Sequence, residues 1–362
     1  MLRVCAWAHP ASNGMEIFEA IRILILFAFA FVVALLLTPF VLHRLVAWNV
    51  RKRNIRDATS APVFHSLHKD KGNTPTMGGI IIWATVLGLA ALFFLANQFF
   101  NGFASYFDFV NRAETYLPLA ALAFAAVVGL VDDLFGILGK GPHGGGLTVP
   151  QKLVLYTAVS AIGAWWFFVR LGWDTIFVPF VGHVVVGWWY VPIFMFIIIA
   201  SAFSTNETDG LDGLAAGVLF FAFGAFAVVS FILHRYDLAA MNAVILGALL
   251  AFLWFNIYPA RFFMGDTGSM ALGITLGVMA MLTNTVFFLP FFGAILVFES
   301  FSVIIQLISK KIRGKKIFLS TPIHHHFEAL GWPETQVTMR FWFVSAVATI
   351  LGLVLFFLAR FI

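Results

Sequence analysis

"STNETDGLDGLAAGVLFFAFGAFAVVSFIL" (Ser204–Leu233) joins two kinds of chain with nothing between them. Its head carries Glu207, Asp209 and Asp212, and everything from Leu214 to Leu233 is uncharged. A helix crossing the hydrocarbon core of a bilayer needs about 20 mostly apolar residues, which is the length of that second part. The stretch therefore reads as an acidic loop at a membrane surface followed by a transmembrane helix.

The composition says the same of the whole chain. Hydrophobic residues fill 61% of 362 positions and charged residues 11%, against roughly half and a quarter in soluble domains. There is too little polar surface here to cover a fold in water, so the expected class is an all-α integral membrane protein. The single cysteine, Cys5, excludes a disulfide framework and a cysteine-based metal site. A net charge of +5 raises nucleic acid as a partner, but the basic residues lie in loops between apolar runs. That is the pattern of membrane orientation, and no nucleic acid is expected.

Working outward from Ser204 gives about ten apolar runs, near 21–42, 77–96, 116–131, 153–170, 184–203, 213–233, 239–257, 269–284, 287–308 and 340–362. The third and eighth are short, and the eighth and ninth are nearly continuous. The opening "MLRVCAWAHPASNGMEIFEA" lacks the parts of a cleaved secretory signal. Residues 1–16 are expected as a loose tail and 17–362 as one polytopic domain. Lys and Arg crowd the odd-numbered loops, with Arg44, Arg51, Lys52, Arg53, Arg56, Lys69 and Lys71 in the first alone. The even loops offer only Arg112, Arg170 and Arg235. Odd loops then face the cytoplasm, and both termini lie on the outer, periplasmic side.

The polar motifs all fall in odd loops. They are "KDKGNTPTMGG" (69–79), "VGLVDDLFG" (128–136), "STNETDGLDGLA" (204–215), "NIYPARFFMGDTGS" (256–269) and "TPIHHHFEALGW" (321–332). The acids among them converge on a single face. Asp132 and Asp133 follow an apolar run, where a helix dipole favours cations instead. Asp209 and Asp212, three apart, would share one side of a helix, although capping a helix start is an alternative for part of this pair. Asp266 sits between glycines that permit tight turns. Carboxylates without thiols or an H-E-x-x-H pattern suit Mg²⁺, which takes one or two protein carboxylates and completes its shell with water and phosphate oxygens. Lys71 and Lys152 flank the acids, no Walker A loop is present, and phosphate chemistry on a lipid-borne substrate is the reading.

"TPTMGG", "VDD", "TDGLDGLA", "WFNIYPARFFMGDTGSMALG" and "RGKKIFLSTPIHHHFEALGWPE" together resemble the polyprenyl-phosphate N-acetylhexosamine 1-phosphate transferases. "PIHHHFE" resembles the branch that handles phospho-MurNAc-pentapeptide rather than its GlcNAc-phosphate relatives. The resemblance covers nearly the whole chain from the first run onward. It implies an enzyme of the bacterial inner membrane with its active site on the cytoplasmic face. Such an enzyme moves phospho-MurNAc-pentapeptide from UDP-MurNAc-pentapeptide to undecaprenyl phosphate, giving lipid I and UMP. It also implies Mg²⁺ dependence and a homodimer. A phosphate monoester is mostly a dianion at neutral pH, with its second pKa near ~6, so direct displacement needs no strong base. A transporter would instead put its ionisable groups near the bilayer midplane.

By matching motifs, Asp266 is the first Mg²⁺ ligand. Asp132 and Asp133 then orient or deprotonate the lipid phosphate or support the metal, Asp132 as a second ligand. Gly210, Leu211, Asp212, Asn256 and Phe263 surround the uridine, with Phe263 stacked on uracil, and Asn206 and Asp209 join the substrate-binding set. Lys71 meets a phosphate, and Lys152 and Gln306 add polar contacts. The chain departs from the family at Phe203, where many members have Asn, and in the glycine-rich "GKGPHGGGLTVPQ", which leaves Lys140 without a clear counterpart. Glu299, inside the ninth run, is either functional or a buried structural partner. Neighbouring residues on a helix point about 100° apart, so His324, His325 and His326 cannot converge from one face. His324 and His325 are expected to contact substrate, and His326 to brace the loop.

Overall fold

The computed structural model describes residues 10–51, 74–99, 102–111, 114–140 and 145–361. Among the described residues, a short helix at Phe103–Phe107 apart, twelve α-helices carry the architecture: α1 (Pro10–Ala47), α2 (Ile80–Phe99), α3 (Tyr116–Leu138), α4 (Val149–Trp165), α5 (Tyr190–Thr208), α6 (Leu214–Ile232), α7 (Tyr236–Asn256), α8 (Asp266–Leu282), α9 (Leu289–Phe292), α10 (Ala294–Arg313), α11 (Ile323–Ala329) and α12 (Glu334–Phe361). Backbone polar groups in hydrocarbon must be satisfied within the span, which is why apolar runs of this length become helices. One hairpin breaks the all-helical expectation: β1 (Thr175–Val178) pairs antiparallel with β2 (Gly182–Val185), Thr175 opposite Val185. Strands of four residues leave too short a pattern to read in sequence.

Each of the ten apolar runs meets a helical element, but they are not ten equal spans. Among the described residues eight helices are long and apolar enough to cross a membrane. The ninth run is broken, with Val286–Phe292 and α10 meeting at 88°. The eighth run is α8, only 17 residues long, and every one of them is buried. Its length need not match the bilayer, because it is wrapped by protein, most extensively by α3 and α5. Close approach comes from small residues: a Cβ added at Gly273 would lie 2.8 Å from the Ala202 Cα. The third run, short in sequence, continues as helix to Leu138 and carries Asp132 and Asp133 inside it. Residues 10–16 of the expected tail already belong to α1.

The bundle has two distinct ends. Asp132, Lys152, Asp209, Asn256, Asp266 and Glu334 gather at one of them. At the other, Arg22 of α1 bonds Asp237 at the start of α7 at 2.6 Å, and Arg360 of α12 lies 5.2 Å over the Phe177 ring of the hairpin. The beginning of α1 and the end of α12 therefore share the end away from the acids.

Candidate active site

Three side chains from three helices meet at the acidic end. Lys152 Nζ lies 2.6 Å from Asp132 Oδ2 and 2.7 Å from Asp266 Oδ1. Lys152 reaches there because α4 starts immediately before it, with the Thr148 backbone N–H donating to Gln151 Oε1 at 2.9 Å and Pro150 in the first turn. Asp132 also accepts the Leu147 N–H at 2.6 Å. Asp266 is the first residue of α8, where the helix dipole favours an acid. Asn206 donates its side-chain amide to Asp266 Oδ1 and, at 3.0 Å, to Ser269 Oγ. Lys152, expected as a substrate contact, is thus the ammonium bridge between the two acids.

The paired acids of "VDD" do different things. Asp133 is fully buried, and its Oδ2 accepts the Thr267 N–H at 2.9 Å, capping α8 from a neighbouring helix. Asp132 alone points at Lys152. Backbone packing fixes this arrangement: a Cβ at Gly129 would sit 2.3 Å from the Asp266 carbonyl oxygen, and one at Gly79 would sit 2.3 Å from the Gly268 Cα. The "TPTMGG" motif is also stitched to the α7–α8 loop, with Gly78 N–H donating to Phe263 O and Gly79 N–H to Met264 O, both at 2.8 Å.

Asp209 and Asp212 do not share a helix face. Helix α5 ends at Thr208, Asp209 leaves the helical path with φ −77° and ψ 53°, and Gly213, with a left-handed φ of 75°, opens the next helix. The turn sends the two carboxylates to different points of the α7–α8 loop. Asp209 Oδ2 accepts the Gly265 N–H at 3.0 Å, and Asp212 Oδ2 accepts the Ala260 N–H at 2.9 Å. Asn256 clamps the same loop, accepting the Gly213 N–H at 3.1 Å and donating to Phe262 O at 2.8 Å. Phe262 is fully buried beside Phe252, while Phe263 next to it is half-buried. Glu334, absent from the expected set, accepts the Asp212 N–H at 2.7 Å. The signal was an acid directly after Pro333 at a helix start. Leu211 is buried in the same turn, and Lys71 lies outside the described residues.

The three histidines have three separate partners. His324 is fully buried, its Nδ1 3.0 Å from Glu299 Oε2, and a Cβ on Gly210 would fall 2.3 Å from its Nε2. His325 Nδ1 lies 2.7 Å from Glu328 Oε2. His326 Nδ1 accepts the Leu319 N–H at 3.2 Å, which braces the loop. Gln306 holds that loop as well, donating to Phe318 O at 2.9 Å and accepting the Ile317 N–H at 2.9 Å. Glu299 is the member that sequence reading left aside; buried on α10, it anchors α11 through His324. Glu299→Leu takes the carboxylate away from that buried imidazole, a loss of about 1–3 kcal/mol. Thermal unfolding should register that loss, and turnover should drop by about tenfold or more. Glu299→Gln should keep most of both, and an unaffected Leu variant would remove Glu299 from the site.

The donor set fits a hard cation. Asp132 Oδ2 and Asp266 Oδ1 aim at one point, where the Lys152 ammonium now supplies the positive charge. Among the described residues no group of three or more His, Cys, Asp or Glu side chains could hold a metal ion unaided. Two carboxylates that leave the rest of the shell to water and phosphate are how proteins hold Mg²⁺.

Residues 115–284, which span α3 to α8, match Glycosyl transferase family 4. A phospho-N-acetylmuramoyl-pentapeptide-transferase of Chloroflexus aurantiacus is 36% identical over 347 residues, 92% of this chain and 89% of its own length. One of Shouchella clausii is 36% identical over 345 residues, 93% of this chain and 98% of its own. The chain belongs to the phospho-N-acetylmuramoyl-pentapeptide-transferase family. It is therefore a transferase, and a membrane-embedded one. The Anoxybacillus flavithermus member, 38% identical over 289 residues, covers 79% of the chain.

Proposed function

We propose that the chain transfers phospho-MurNAc-pentapeptide from UDP-MurNAc-pentapeptide to undecaprenyl phosphate, forming lipid I and releasing UMP in peptidoglycan biosynthesis. The observation that carries this reading is the Asp132–Lys152–Asp266 cluster at one end of the bundle. The Lys- and Arg-rich loops at that end support a cytoplasmic orientation, in the inner membrane of a bacterium, with both termini periplasmic. The family resemblance adds a homodimer.

Attack by a lipid phosphate oxygen on the sugar-linked phosphorus builds charge on the leaving UMP and across the transferred group, so catalysis is chiefly positioning and electrostatics. Mg²⁺ held by Asp266 and Asp132 would neutralise diphosphate oxygens. Lys152, released from the carboxylates, offers its ammonium to phosphate. Asn206 fixes the orientation of Asp266. Asp133, by capping α8, holds the helix that presents Asp266. The turn at Gly210, Leu211 and Asp212, tied to the loop of Asn256 and Phe263, forms the wall for the uridine. His324 and His325 stand over it on α11, and Lys71 adds a phosphate contact.

The test is turnover of radiolabelled donors with undecaprenyl phosphate and Mg²⁺. UDP-MurNAc-pentapeptide should give a lipid-linked product that disappears when EDTA is added. UDP-GlcNAc should give none. Product from UDP-GlcNAc alone would make the chain a GlcNAc-1-phosphate transferase, and product that survives EDTA would remove Mg²⁺ from the reading.

A further inference from the structure

The end of the bundle opposite the acids holds a pocket of about 310 Å³ whose lining includes Trp173, His183, Arg235, Asn284 and Arg360. These residues come from the hairpin and its approach, the α6–α7 turn, the end of α8 and the last turn of α12. The transfer chemistry proposed above uses none of them. We propose that this pocket binds the phosphate headgroup of an anionic membrane lipid.

Charge is the first argument. Arg235 donates one N–H to Leu282 O at 2.6 Å, at the end of α8, and its guanidinium lies 5.8 Å over the Trp173 ring. A guanidinium has five N–H donors in a planar fork suited to phosphate. Among the described residues neither Arg235 nor Arg360 has a carboxylate at ion-pair distance. Burial holds the Arg235 guanidinium below the usual arginine value, Glu114 opposes that in part, and Arg360 adds a smaller push downward. Two cations that face one pocket with no carboxylate at ion-pair distance, Glu114 acting only from farther off, are stabilised by an anion that enters it. Asn284 is fixed in place, accepting the Phe177 N–H at 2.9 Å.

The surroundings select a lipid over a free ion. Phe180, Val181, Val185, Trp188 and Trp189, on and just after the hairpin, are each at least 70% exposed. Exposed tryptophan beside aliphatic residues is the composition of a membrane interface, where aromatic rings sit at headgroup depth. Basic pockets between transmembrane helices at that depth take lipid headgroups. At about 310 Å³ the pocket is at the small end of the ~300–1,000 Å³ range of ligand sites, enough for a headgroup phosphate and glycerol while the acyl chains stay in the bilayer.

Native mass spectrometry of the purified full chain, titrated with phosphatidylglycerol or phosphatidylcholine, tests this. The wild type should retain phosphatidylglycerol over phosphatidylcholine. Arg360→Gln, an exposed position with no fold-bearing hydrogen bond among those described, should lower that retention at least threefold, with turnover in the same detergent unchanged. Arg235→Gln should lower it further, and because Arg235 also caps α8, the Arg360 variant decides if that protein does not fold. Equal retention of both lipids, or retention unaffected by Arg360→Gln, would overturn the proposal. So would displacement of the lipid by millimolar inorganic phosphate, which would make a free anion the ligand.

Discussion

Asp266→Asn is expected to reduce transfer by about a thousandfold, the scale on which a preorganised charge at a reacting phosphate contributes. That factor corresponds to about 4 kcal/mol of transition-state stabilisation. Asp266 Oδ1 receives both the Lys152 ammonium and the Asn206 amide, so the substitution removes the anion on which two helices converge. Turnover of labelled UDP-MurNAc-pentapeptide measures it, and a variant with a tenth of wild-type activity would show that the cluster is not the reacting centre. Lys152→Met gives the complementary result. Its ammonium occupies the point at which both carboxylates aim, so lysine and a divalent cation compete for the same oxygens. The Met variant should lose turnover by a comparable factor yet bind Mn²⁺ at least as tightly as wild type, read by electron paramagnetic resonance. Weaker Mn²⁺ binding would show that these two carboxylates do not hold the metal.

Much of this molecule is written in local pattern, and the rest is not. The span of Leu214–Ile232 is a continuous apolar run, and any reading of hydropathy finds it. Helix α8 was visible only as a weak, short run, because what makes it viable is the burial of all 17 residues by other helices, a tertiary fact. The bend of 88° before α10 was hidden for a related reason: composition reports that residues are apolar, not whether their helix is straight. At the site, residue identity was legible but pairing was not. "VDD" announces two acids, yet Asp133 caps α8 across a separation of 134 residues while Asp132 faces Lys152. Spacing suggested a shared helix face for Asp209 and Asp212, and the end of α5 at Thr208, with Asp209 already off the helical path, sends them apart. Glu299 and Glu334 carried no motif that named their partners, since both partners lie on other elements.

Gly129→Ala should cost more activity than the size of one methyl group suggests. The added Cβ would stand 2.3 Å from the Asp266 carbonyl oxygen and 2.6 Å from the Thr267 Cα. Both obstacles are backbone, so no side-chain rotation relieves them, and α3 and α8 must move apart. Overpacking of this kind costs about 1–3 kcal/mol in stability. Catalysis should suffer more than stability, because the atom displaced belongs to Asp266 itself, and a misplacement of about 1 Å at a reacting centre can cost on the order of 10²-fold. Asp133, which caps the same helix start, moves with α3 and shifts its bond to Thr267. Gly88→Ala supplies the control, since a Cβ there meets nothing within 4 Å and alanine is the better helix former. Thermal unfolding and turnover of the two variants side by side separate the effects. Gly88→Ala should match wild type in both, and Gly129→Ala should lose about a hundredfold in turnover with a smaller fall in melting temperature. Wild-type turnover in Gly129→Ala would mean that the contact between α3 and the start of α8 does not set the position of Asp266.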